Sequence, residues 1–141
     1  MDVEINYWAV LLAAASSMVV GSIWYSKRAF GTTWANLAKI DLNKKISNSQ
    51  MAWLMGSTFL ASLITAYVLA NVTFLSNMYF GNSWLEDALM TGFWLWLGFT
   101  AARIYVHNAF EERRKKLTLL ALANELVTIM VMALIIGLFG I

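Results

Sequence analysis

Cysteine and proline are both absent from this chain of 141 residues. Without cysteine there can be no disulfide, no thiolate nucleophile and no sulfur-ligated metal. Without proline nothing forces a helix to break, so the helices should run uninterrupted, which counts against the discontinuous membrane helices many transporters place at their binding sites. Charge is scarce too: 13% of residues are charged, against about 25% in a soluble domain. There is one histidine, and no zinc spacing, phosphate-binding loop or nucleophile elbow. No metal, no cofactor and no nucleic-acid partner are therefore expected.

What the chain has in quantity is apolar surface. Hydrophobic residues make up 60% and the mean hydropathy is +0.64, more than a domain of this length can hide within itself, whereas a bilayer acts as solvent for an apolar exterior. Four apolar segments, 5–26, 51–75, 84–107 and 117–141, each approach the ~20 residues that cross a hydrocarbon core of about 30 Å. The first carries Asp2 and Glu4 where a signal peptide would be basic, so it reads as a retained span. Ser47 with Gln50, and Ser83 with Glu86, have capping-box spacing just before apolar runs. The fold expected is all-α: an integral membrane four-helix bundle forming one membrane domain over 1–141, with membrane lipids as its surroundings.

The ten cations fall on two connections. Lys27, Arg28, Lys39, Lys44 and Lys45 lie between the first two spans; Arg103, Arg113, Arg114, Lys115 and Lys116 lie at the end of the third and before the fourth. The acids Asp2, Glu4, Glu86 and Asp87 lie at the opposite ends. Because Lys and Arg in short loops resist translocation, this predicts a multi-pass protein of the cell (inner) membrane with both termini outside the cytoplasm. After the first span Phe30, Trp34, Leu37 and Ala38 recur at helical spacing, which predicts a short amphipathic helix over 30–42 in the membrane interface.

The stretch GSIWYSKRAFGTTW from Gly21 to Trp34, with NAFEERR beginning at Asn108 and the four-span layout, resembles the DUF1761 family of small prokaryotic membrane proteins. The resemblance rests on Gly21, Trp24, Tyr25, Ser26, Phe30, Gly31 and Trp34, and on Asn108, Phe110 and Glu111. Lys27 stands where the family usually has proline. The resemblance implies a prokaryotic source and no particular activity.

Few residues could carry chemistry. Glu125 sits within the last span, where an isolated carboxylate must be protonated, paired or next to a wet cavity. Arg103 and His107 share a helix face with Trp96 and Thr100, so an antiparallel hairpin of the last two spans would let Arg103 bridge to Glu125. Asn124 would hydrogen-bond to a neighbouring helix. Ala9, Ala13, Ser17 and Gly21 form a small-residue ridge that permits close helix approach within the bundle or in a homo-oligomer. The main expectation is a non-enzymatic bundle that binds a lipid, an apolar small molecule or a partner protein between its helices. A small proton-coupled transporter using Glu125 is one alternative, and a transferase like the MAPEG enzymes, whose Arg, His, Asn and Glu run is similar to Arg103, His107, Asn108 and Glu111, is another. The orientation is directly testable: a reporter active only outside the cytoplasm should work when fused at Ile141 and fail when inserted near Asn43.

Overall fold

The computed structural model describes residues 4–140, and among them it is all-helical; Asp2 lies outside the described residues. The elements are α1 (Tyr7–Trp24), α2 (Gly31–Ala38), α3 (Asn48–Phe80), α4 (Trp84–Leu95), a π-helical segment (Trp96–Ala101), α5 (Ala102–Phe110) and α6 (Lys115–Phe139). Helix starts follow local chemistry. Asn6 caps α1 by accepting from the Ala9 amide at 3.2 Å. Both expected capping boxes form in full, Ser47 with Gln50 on α3 and Ser83 with Glu86 on α4. The first box starts α3 ahead of its apolar run, and the helix continues until Gly81, at φ 68°, turns the chain. At 33 residues α3 is about 50 Å long, longer than the 51–75 segment predicts.

Three helices, α1, α3 and α6, are long and apolar enough to cross a membrane. The segment 84–107 departs from expectation. It is helical without a gap, but six residues from Trp96 to Ala101 adopt π geometry between α4 and α5, so no single uninterrupted α-helix there reaches spanning length. Absence of proline therefore did not guarantee regular helices. The wider turn coincides with a tie across the bundle, where the Trp96 indole donates through Nε1 to the Leu122 carbonyl of α6 at 3.2 Å. Such turns recur at functional sites.

The four helical passes close into a ring. α6 packs against α1 and α4, and α3 packs against the same two helices from the other side. The core is confined to the half of the bundle that holds both ends of the described chain. It is built from Val10, Ala13 and Ala14 of α1, Ala66, Leu69 and Ala70 of α3, Ala88 of α4, and Ile129, Met132, Ala133 and Ile136 of α6. Alanine dominates because lipid tails are as apolar as leucine, so helices gain only by close, well-packed approach. Ala9, Ala13 and Ser17 of the small-residue ridge are buried here, which places them in packing within the chain. The closest approach is at Gly137, where an added Cβ would lie 2.7 Å from Leu85 Cα and 3.1 Å from Ala88 Cβ.

α2 is shorter than the predicted 30–42 helix. Lys39 adopts a left-handed conformation (φ 55°) that ends it, letting the Ile40 amide reach the Ala35 carbonyl at 2.9 Å. Gly31 and Ala35 are its buried residues, and it packs against α6, so part of its surface faces protein. These contacts predict a contrast between glycines. Gly137→Ala should destabilise by about 1–3 kcal/mol through overpacking, whereas Gly56→Ala, whose Cβ would meet nothing within 4 Å, should be neutral or stabilising by up to about 1 kcal/mol. Thermal melts of the two variants in one detergent would check the order.

Candidate ligand cavity

Away from the core the helices part. α3 packs along α4, but it makes no comparable contact with the π segment or α5. The gap is a cavity of about 780 Å³ bounded by α1, α3, the π segment and α6. Ser17, Gly21 and Tyr25 line it from α1 and its C-cap, Thr58 and Ser62 from α3, Thr100 from the π segment, and Asn124, Glu125 and Thr128 from α6. Met18, Met55 and Met132 supply soft apolar wall. Its mouth is partly tied by the Ser17 and Ser62 hydroxyls, 2.8 Å apart across α1 and α3.

Glu125 lies ten residues into α6, about 15 Å along the helix from Lys115. Among the described residues no cation pairs with it; the ion pairs present are those of Glu111 with His107 and Arg113. The expected bridge to Arg103 is absent. Arg103 is exposed on α5 and does not line the cavity. The π turn supplies the reason: widening the helix between Trp96 and Ala101 shifts the phase of all that follows, by about 100° for each extra residue in the turn. Residues that would share a face in a regular helix are thereby separated. Trp96 and Thr100 stay toward α6 and the cavity, while Arg103 and His107 turn away from it. Asn124 is 8% exposed, and its Oδ1 is enclosed without a hydrogen-bond partner, so the predicted bond to a neighbouring helix is not made by that atom.

The residues of the first motif gather in one elbow between α1 and α2. The Phe30 amide donates to the Trp24 carbonyl and the Gly31 amide to the Ser26 carbonyl, both at 3.0 Å. The Trp24 and Phe30 rings lie 4.5 Å apart, and those of Tyr25 and Trp34 5.0 Å apart. Gly31 is obligatory at this spot, since a Cβ would fall 2.1 Å from the Tyr25 carbonyl oxygen. The turn closes with the exposed Lys27 where the family usually has proline. The elbow thus anchors Tyr25 at the cavity rim instead of leaving both aromatics to the lipid headgroups.

The second motif shapes the turn from α5 to α6. Asn108, buried, donates from Nδ2 to Thr118 Oγ1 at 3.1 Å. Glu111 accepts from Arg113 Nε at 2.6 Å and lies 2.9 Å from His107 Nε2. Phe110 is almost fully exposed. Arg103, His107, Asn108 and Glu111 therefore do not converge on one pocket.

Sequence reasoning passed over Asp87. It is 2% exposed and accepts from Asn77 Nδ2 at 2.8 Å and Asn82 Nδ2 at 3.1 Å, fastening the end of α3 to the start of α4. The signal was available, because an acid in the first turn of an apolar helix also suits the helix dipole.

A family model described as "Protein of unknown function (DUF1761)" matches residues 8–137. No curated protein and no solved structure gives a significant match. The geometry makes one measurable statement about the two charged residues once thought paired. Since Arg103 and Glu125 share no partner, the stability losses of Arg103→Gln and Glu125→Gln should add to within about 0.5 kcal/mol in the double variant. Thermal or denaturant unfolding in a mild detergent would read it, and a double variant markedly more stable than the sum would contradict the geometry.

Proposed function

Because the chain belongs to the DUF1761 family, whose description assigns no activity, we propose a function from the cavity itself: a multi-pass protein of a prokaryotic cell membrane that holds a small amphipathic molecule between its helices. The single observation that supports this is a cavity of about 780 Å³, within the size range of small-molecule sites, which combines an apolar wall with an unpaired carboxylate at spanning depth. In this reading the helical path from α4 through the π segment to α5 crosses the membrane as a fourth span. The cation-rich elbow and the α5–α6 turn face the cytoplasm, both termini lie outside, and α2 rests in the interface beside α6. The role is binding without covalent chemistry. No nucleophile with an adjacent base lines the cavity, and the residues that resemble a MAPEG run are spent on a turn.

Proton-coupled transport remains the second reading, favoured by the one feature that Glu125 is free of any cationic partner. A carboxylate in that setting can exchange a proton for a ligand.

The binding reading has a direct test. Gly21 lines the cavity, and a Cβ there would meet nothing within 4 Å, so Gly21→Leu should fill space without disturbing the fold. Native mass spectrometry of protein released from nanodiscs of defined lipid should show a bound small molecule or lipid on the unmodified chain, and at least about a tenfold lower occupancy on Gly21→Leu, the size of effect expected when a well-packed contact is displaced. Equal occupancy in a folded Gly21→Leu variant would remove the cavity as the binding place.

A further inference from the structure

The hydrogen-bonding character of the cavity wall narrows the ligand further, on the premise that the cavity is the binding place. Hydroxyl groups line it from two helices, yet most of their protons are already committed to the backbone. Ser22 Oγ donates to the Met18 carbonyl at 2.7 Å, and Thr58 Oγ1 to the Leu54 carbonyl at 2.7 Å. Thr65 Oγ1 donates to Ala61 at 3.1 Å and Ser17 Oγ to Ala14 at 2.7 Å. A serine or threonine bonded back to its own helix keeps only its oxygen lone pairs for a guest. The wall therefore offers acceptors in excess.

Charge points the same way. Glu125 is the one ionisable acid on the wall, and no lysine, arginine or histidine lines the cavity. Asn124, more than nine-tenths buried in the same wall, holds an Oδ1 with no donor. Burying acceptors without donors is costly, and burying a carboxylate without a counter-charge more so. The missing complement is a positively charged hydrogen-bond donor. A bare inorganic ion would leave most of about 780 Å³ unfilled, whereas Met18, Met55 and Met132 give polarisable surface to a hydrocarbon body.

We propose that the cavity binds a protonated organic amine, its N–H groups donating to Glu125 and to the hydroxyl oxygens of α1 and α3, its apolar part against the methionines. Such a site discriminates by donor count as well as by charge. A quaternary ammonium of the same shape brings the charge but no N–H, and a neutral alcohol brings one donor but no charge.

Three probes of one skeleton separate these contributions: 4-phenylbutylamine, 4-phenylbutyltrimethylammonium and 4-phenylbutanol, titrated into the full chain in nanodiscs of neutral lipid at pH 7, with empty nanodiscs subtracted. The amine should bind at least about tenfold more tightly than either analogue, a ratio of the kind a site built to accept hydrogen bonds imposes on a ligand lacking them. Glu125→Gln should reduce amine binding about tenfold or more while leaving the alcohol unchanged; Glu125→Asp should retain most of it. If the Gln variant fails to fold, the ranking of the three probes on the unmodified chain still decides. An alcohol that binds as well as the amine, or a quaternary ion that binds better, overturns the amine assignment while leaving the cavity as a binding place. Failure of all three probes to bind, with Gly21→Leu indistinguishable from the unmodified chain, overturns both.

Discussion

Gly137 leaves no room for a methyl group between α6 and the first turn of α4, and that closeness governs how the rest of the chain can pack. Hydrocarbon provides no solvent-driven force between helices, so association must come from surfaces that fit. Here the fit is made of alanine and glycine. Ala88, Ala133 and Gly92 continue the seam, and Ala13, Ala14, Ala66 and Ala70 repeat the solution between α1 and α3. Asp87, held by Asn77 and Asn82, fastens the hairpin on the same side. Helices clamped at one end are free to spread at the other, so the cavity is the geometric complement of the seam.

The spread end is kept in shape by turns. The elbow of Trp24, Tyr25, Ser26, Phe30, Gly31 and Trp34 fixes where α1 stops and brings α2 against α6. The α5–α6 turn does the same through Asn108 and Thr118. The two most distinctive sequence motifs thus lie beside the cavity and position it, while the residues most exposed to a guest, Glu125 and Asn124, belong to neither.

Much of the architecture was readable from the chain because it rests on local rules. Capping boxes at Ser47 and Ser83 are written in side chains three residues apart, and apolar runs declare themselves by length. The cavity acid was found for the same reason, since a carboxylate inside such a run has nowhere ordinary to go. The failures are those of phase and partner. Placing Arg103 opposite Glu125 assumed 3.6 residues per turn throughout, and nothing as local as a missing proline reports where a helix widens. The ridge of Ala9, Ala13 and Ser17 was visible, but whether it faces its own chain or another depends on the positions of α3 and α6. Asp87 was counted as a surface charge because its two amide partners come from another helix and a loop.

The π segment separates the chain into parts that can change independently. An extra residue within a helix rotates everything downstream of it and leaves everything upstream untouched. On one side of Trp96 lie the contacts that hold the bundle together; on the other lie α5 and the turn to α6. A gain or loss of a single residue at that point would turn a new set of side chains toward the cavity at no cost to the glycine seam. The site and the scaffold are thus mechanically decoupled, and ligand preference among chains of this build is free to drift by small insertions and deletions, a route of variation that point substitution along a regular helix does not offer.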